Sequence, residues 1–444
     1  MPVLTSIKAR IWQQEKLNSL LLCLDRYSQH ISHLDLGFYQ DVDDDLRLQE
    51  LPPALQLHSL QIYAAELQLQ PGDGFDGVLG PAAAALTQLR LSDCWVLGGQ
   101  TALAATLPQL TKLVHLAFSF KLFNERQYFP AYVLQDMQHL TYLEFACCLT
   151  GANGEEDPLA LQPLQVLTRL VDLRLAIEDG RVSHHDFVIT ASMLSGACNL
   201  TRLDVSSTCF DFEAGALAGK PRLQHLQLAS CRTATAEQVA QRLSQLQHLQ
   251  QLTYLCLDDS IEAFVDDPPA AAFSALTASS KLQHLDLRNC TLPAAVWQHV
   301  FPAGRQLPLL RSLNISWIRQ PPDNSAAAGP HGSFLASCCP SLQCLDIGGL
   351  QYSAELLGPL QGLSELQSLH VQTDPGTDGW EPLELVCQLT GLRKLQADWV
   401  PDWLLLQLTQ LKQLTELTYS GQRATGYFKA EVSWTSLFLL HGWL

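Results

Sequence analysis

The sequence predicts an α/β solenoid: a curved horseshoe with a parallel inner sheet of about fifteen short strands and a helical or irregular convex side. Three observations lead there. Apolar residues stand three apart and then two apart, as in LSQLQHLQQLTYLCLDDS over 243–260, where Leu243, Leu246, Leu249, Leu252 and Leu255 are followed by Leu257. The same change of step recurs along most of the chain. Hydrophobic residues make up 47% and charged residues 16% of the 444, with no apolar run near the roughly 18 residues of a membrane span.

The change of step decides the structure. In an α-helix each step of three advances about 300°, so five such leucines would sweep round the cylinder instead of holding one face. A coiled coil alternates steps of three and four, which this run does not. A step of three keeps one edge inward in 3₁₀-like turns, and a step of two is a strand with one buried face. Each repeat therefore descends through turns and enters a strand.

Taken in order, residues 1–30 are expected to form a helical N-terminal cap, with Ile7, Ile11, Leu17, Leu21 and Leu24 on one face of a helix over 5–29. Fifteen pattern copies then occupy 31–422. They start at Ile31 (HISHLDL), Leu57, Leu86 (LTQLRL), Leu113, Leu140 (LTYLEF), Leu170, Leu200 (LTRLDV), Leu223 (LQHLQL), Leu252 (LTYLCL) and Leu282 (LQHLDL). Leu310 (LRSLNI), Leu342 (LQCLDI), Leu366 (LQSLHV), Leu392 and Leu414 complete the series. The mean period is about 27 residues. Residues 423–444 are expected to cap the far end, with Trp434, Phe438 and Trp443 closing the core. Gly- and Pro-rich stretches at 71–81, 150–158, 319–333 and 373–382 read as surface insertions.

These copies resemble the leucine-rich-repeat family, whose signature is L-x-x-L-x-L-x-x-N/C-x-L. The ninth position is Cys94, Cys148, Cys231 and Cys290 in four copies and Thr208 or Ser260 in two others, so the resemblance is closest to the cysteine-containing intracellular subclass. It implies the horseshoe and a protein-binding inner face. The run from Trp12 to Leu36 is also similar to the passage after an F-box in F-box leucine-rich-repeat proteins, although no F-box is recognisable. That likeness implies an alternative role as the substrate-recognition subunit of a ubiquitin ligase. A GTPase-activating leucine-rich-repeat protein is a further alternative.

Chemistry is sparse. Thirteen cysteines, an odd number at repeat positions, read as reduced core thiols, and Cys338, Cys339 and Cys344 lack the second ligand pair of a zinc finger. LGGQT over 97–101 lacks the Walker lysine, SHHDF with His184 and His185 reads as a loop, and Asp41, Asp43, Asp44 and Asp45 lack a calcium loop's glycine and glutamate. No catalytic, cofactor or metal site is expected, and the chain is read as a non-enzyme. A net charge of −17, with 44 acids against 27 bases, excludes specific nucleic-acid binding as the expected role and suits a protein partner with a basic patch. With no targeting or membrane segment in view, the expected state is a cytoplasmic monomer, with the nucleus as the alternative location.

Binding is expected at the third, fifth, seventh and eighth signature positions, which face the open inner side and where no backbone constraint is expected to choose the residue. Across the central repeats these give Arg202, Asp204, His225, Gln227, Tyr254, Asp258, Asp259, His284, Asp286, Arg288, Asn314 and Trp317. Aromatics and arginine carry most truncation cost at interfaces.

Overall fold

A computed structural model describes residues 5–38, 47–48, 51–68, 84–97, 99–119, 128–146, 148–150, 161–176, 187–206, 210–213, 215–231, 235–261, 269–319, 332–349, 354–372, 381–398, 407–423 and 426–433. The chain divides into two compact units, Met1–Arg222 and Leu223–Leu444. In the first, β1 (Ser6–Ile11), β2 (His33–Phe38), β3 (Ser59–Tyr63), β4 (Gln88–Ser92), β5 (His115–Ser119), β6 (Tyr142–Ala146), β7 (Asp172–Ala176) and β8 (Arg202–Ser206) pair in chain order, all parallel. In the second, the parallel order runs β9 (His225–Ala229), β10 (Tyr254–Cys256), β11 (His284–Asp286), β12 (Ser312–Asn314), β13 (Cys344–Asp346), β14 (Ser368–Gln372), β15 (Lys394–Asp398) and β16 (Glu416–Arg423). A last strand, β17 (Gly426–Ser433), returns antiparallel to β16. Every one of the fifteen pattern copies becomes a strand of a parallel ladder in which like positions face like positions. This is leucine-rich-repeat architecture.

The leucines explain it. Leu86, Leu89 and Leu91, like Leu282, Leu285 and Leu287, are at most 1% exposed; burying each stabilises by about 1.5–3 kcal/mol. The step of three is 3₁₀ geometry: Leu110 N–H donates to Leu107 O and Leu113 N–H to Leu110 O, and the same bonds recur from Leu167 to Leu164 and from Leu170 to Leu167. In 243–260 the helix Ala236–Leu246, closed by a Thr235–Gln238 capping box, hands over to Leu249 N–H→Leu246 O and Leu252 N–H→Leu249 O before the strand starts at Tyr254. Three residues per turn keep Leu246, Leu249 and Leu252 on one buried edge.

Within each unit, further hydrogen bonds tie neighbouring repeats. The carbonyl at the second signature position accepts two N–H groups from the next repeat, as His58 O does from Thr87 and Gln88, and Gln224 O from Thr253 and Tyr254. Threonine recurs at this position because its hydroxyl can join them: Thr87 Oγ1 lies 2.9 Å from His58 O and Thr253 Oγ1 3.0 Å from Gln224 O. At the ninth position a thiol or hydroxyl donates to the sixth-position carbonyl of the preceding repeat. Cys94 Sγ is 3.4 Å from Ile62 O, Cys290 Sγ is 2.9 Å from Leu257 O, and Ser260 Oγ reaches Leu228 O.

The N-terminus differs from the helix expected over 5–29. Helix α1 spans Gln14–Tyr27 and buries Leu17 and Leu24, but Ser6–Ile11 is a strand in register with His33–Phe38. Its two-residue alternation of Ile7, Ala9 and Ile11 with Lys8 and Arg10 suits a strand, and the open edge of β2 supplies its hydrogen bonds. Among the described residues no helix is long and apolar enough to cross a membrane. The aspartates at 41–45, His184, His185, Thr208, Trp434, Phe438, Trp443 and nearly all of the four insertions lie outside the described residues.

Candidate interaction face

The inner face is built from the third and fifth signature positions, whose side chains alternate with the buried leucines along each strand. In the first unit these positions compensate one another. Lys8 and Arg10 meet Asp35 at 3.0 and 3.4 Å, and Arg90 reaches across the small Ala117 to Glu144 at 3.4 Å. His115 stacks on Tyr142 with centroids 3.8 Å apart and planes 4° from parallel, Tyr142 donates its hydroxyl to Glu144, and Arg174 sits 5.1 Å over the Tyr142 ring. Arg174 binds Asp172 at 3.0 Å. Arg202 spans Asp172 at 3.9 Å and Asp204 at 3.5 Å, and Ser206 Oγ reaches Asp204 at 3.4 Å. Pairs as exposed as these stabilise by about 0–1 kcal/mol each, but they occupy the polar groups they join. Burial, opposed by Arg202, raises the Asp204 carboxyl above its usual range.

The other predicted residues lie in the second unit. His225 stacks on Tyr254 at 4.0 Å and 5°, and Tyr254 meets His284 at 5.9 Å and 41°. Burial pushes the Tyr254 hydroxyl up to about 12 and lowers the His284 imidazole, on which Arg311 also acts. Gln227 is half-buried beside Cys256 in the strand register. Arg288 is clasped between Asp258 at 3.1 Å and Asp286 at 3.3 Å, and Asn289 Nδ2 donates to Asp258 at 2.9 Å. Asp259 faces Arg319 at 3.9 Å.

Two corrections follow. The sequence leads one to expect Asp286 and Asn314 to be unconstrained, yet each closes its own turn: Asp286 Oδ1 accepts Arg288 N–H at 3.1 Å and Asn314 Oδ1 accepts Ser316 N–H at 3.0 Å. Asp346 does the same for Gly348 N–H at 3.0 Å. The eighth position, read as free of backbone constraint, holds a left-handed turn. Ala64, Asp93, Ser230, Asp259, Asn289, Trp317 and Gly349 occupy it with φ from +51° to +74°. The reason is a further inter-repeat ladder: Asp259 N–H donates to Arg288 O, Asn289 N–H to Ser316 O and Trp317 N–H to Gly348 O at 2.7–3.0 Å.

The structure adds a groove that the residue-by-residue reading missed. It has a volume of about 310 Å³ and crosses β12–β16, lined by Ser312, Asn314, Cys344, Asp346, Ser368, His370, Lys394, Gln396, Glu416 and Thr418. Of the predicted residues, it includes Asn314. Its floor comes from small third-position side chains, Ser312, Cys344 and Ser368, where neighbouring strands carry His284 and Lys394. LRSL, LQCL and LQSL carried that signal, but selection of large and charged residues passes over it. Lys394 pairs with Glu416 at 2.5 Å, which raises its amine above the usual range. His370 Nδ1 lies 2.9 Å from Asp346 Oδ1.

A diglycine stands beside the groove, two residues after Asp346. A Cβ on Gly348 would sit 2.9 Å from His370 Cε1, and one on Gly349 would sit 2.6 Å from Trp317 Cε3. Only bare backbone lets the two rings lie against this turn, and Gly349 meets its φ of +74° without strain. Trp317 is left 47% exposed.

Cys94, Cys231 and Cys290 are buried, and burial pushes the Cys94 and Cys290 thiols up to about 12. The side chain of Cys148 lies outside the described residues. Among the described residues no three His, Cys, Asp or Glu side chains stand together as a metal site.

No protein-family model and no curated protein matches this chain. Among solved structures, a leucine-rich-repeat protein of Leptospira interrogans is similar at 16% identity and a TM-score of 0.36, covering 80% of this chain and 94% of that one. The strand register carries the fold assignment.

Proposed function

We propose that this chain is a protein-interaction scaffold that holds a protein partner on the inner face of its second unit. The groove across β12–β16 carries this reading. Elsewhere on the inner strands, charged and aromatic side chains are largely taken up by one another. In the groove, the side chains of Ser312, Cys344, Ser368, Gln396 and Thr418 make no hydrogen bond within the described residues. Polar groups left without internal partners are hydrated in the free protein and can exchange that water for a partner's groups at little net cost. The ubiquitin-ligase and GTPase-activating alternatives rest on resemblance and have no observation of their own here.

The test places a photo-crosslinking residue at Ser368 in the groove or at Gln250, exposed on the descending side. The expected result is a defined crosslinked partner from Ser368 and none from Gln250, lost when Ser312→Arg fills the floor. Crosslinks from Gln250 that survive the filled groove would move the interface to the outer side.

A further inference from the structure

The polar groups of the groove differ in how far the protein itself has used them. Outside the groove, Asp286 on β11 and Asp258 in the turn after β10 share Arg288, and Asn289 also donates to Asp258. On β16, Glu416 is held by Lys394. Asp346 on β13 is different. Its Oδ1 takes both Gly348 N–H and His370 Nδ1, whereas its Oδ2 has no partner among the described residues, and the side chain is 31% exposed. On the adjacent strand Asn314 spends Oδ1 on Ser316, and its Nδ2 has no partner among the described residues. An unspent acceptor carrying negative charge thus stands one rung from an unspent donor.

The exposed indole of Trp317 belongs to the same place. It rests against Gly349, the residue after the Gly348 whose N–H Asp346 holds. A carboxylate oxygen and an indole at one diglycine turn match a cation: the carboxylate supplies charge, and the ring face adds cation–π attraction of about 0.5–2 kcal/mol. The groove extends well beyond one side chain. Its five strands at about 4.8 Å spacing span roughly 19 Å, the length of about six extended residues.

From these observations we propose that the groove takes an extended, basic peptide segment of the partner, with an arginine or lysine side chain seated between Asp346 and Trp317 and the backbone running over Ser312 and Ser368. This deepens the scaffold reading and rests on it. The guanidinium or ammonium donates to Asp346 Oδ2, and Asn314 Nδ2 donates to a carbonyl of the segment. Arg288 and Lys394, already matched by acids, do not repel it.

Two substitutions isolate the cation site. Asp346→Asn keeps an oxygen for Gly348 N–H while removing the charge. Trp317→Asn removes the ring and places at φ +57° a residue that tolerates that conformation. The probe is an array of labelled hexapeptides with central arginine and varied neutral flanks, each matched by a glutamine version, titrated by fluorescence polarisation against the full chain. Arginine members are expected to bind at least about tenfold more tightly than their glutamine partners. Each substitution should lose about that factor with the melting temperature held, and Asp346→Asn should equalise the paired peptides.

Equal binding of arginine and glutamine peptides to the unsubstituted protein, or an arginine preference that survives Asp346→Asn, overturns the proposal. Lack of binding by any arginine member at about 1 mM overturns it too. If the peptides fail in this way while Ser368 still crosslinks a partner and Ser312→Arg abolishes it, the basic segment is wrong and the inner-face scaffold stands. Crosslinks confined to Gln250 would remove both.

Discussion

At the scale of single residues, the ninth-position thiols work as hydrogen-bond donors in a closed space. Cys290 is fully buried and donates to Leu257 O, and one repeat earlier Ser260 occupies the equivalent position and donates to Leu228 O. Serine and cysteine are therefore interchangeable in this column, whereas a carboxylate has no proton to give the carbonyl it would face. Cys290→Ser is expected to change stability by less than about 1 kcal/mol and Cys290→Asp to cost several kcal/mol, as measured by urea unfolding. A thiol raised to about 12 is also expected to react slowly with a thiol reagent in the native state. The column was legible because its members share one job. The spent groups were not legible, since Asp286 and Asn314 look like any polar residue on an exposed face until their turns are seen to need an acceptor.

The element with the most hidden constraint is the turn leaving each strand. Its left-handed residue could have been suspected: Asp93, Asp259, Asn289 and Gly349 are types that tolerate positive φ, and all stand at the eighth position. Ala64, Ser230 and Trp317 at the same position obscured the pattern. At Asn289 the turn also receives a side-chain bond to Asp258. Asn289→Gly should therefore lose the bond alone, about 1 kcal/mol, whereas Asn289→Val adds a β-branched residue at φ +58° and should cost about 2–4 kcal/mol in all. Equal losses for the two variants in denaturant titrations would show that the turn does not need its left-handed residue. The fifteen signature strands were legible, because a step of three changing to two has few structural solutions. β1 escaped because Ile7, Ala9 and Ile11 carry the alternation without the leucine signature.

For the molecule as a whole, stability is a chain of neighbour terms. Among the described residues each inner strand bonds to the strands beside it, and the descending turns meet their equivalents in adjacent repeats. Leu285, 1% exposed on β11, is in the middle of such a stretch. Leu285→Ala should cost about 2–5 kcal/mol. Hydrogen exchange should accelerate most in β10, β11 and β12 and little in β2 to β5; uniform acceleration across all strands would show one cooperative core instead of stacked neighbours.

The left-handed turn has a consequence for how such a chain can change its length. The strand ladder, the shared second-position carbonyl and the turn bond all join equivalent positions of successive repeats, so no bond depends on which repeat supplies it. Removing residues 252–281 would bring Leu282 directly behind Gln251 and leave each class of bond with a partner of the same kind. Duplication or excision of a whole repeat is therefore close to neutral for the backbone, and the number of rungs becomes something inheritance can vary. What such an event would alter is the spacing along the inner face, and with it which peptide the surface can read.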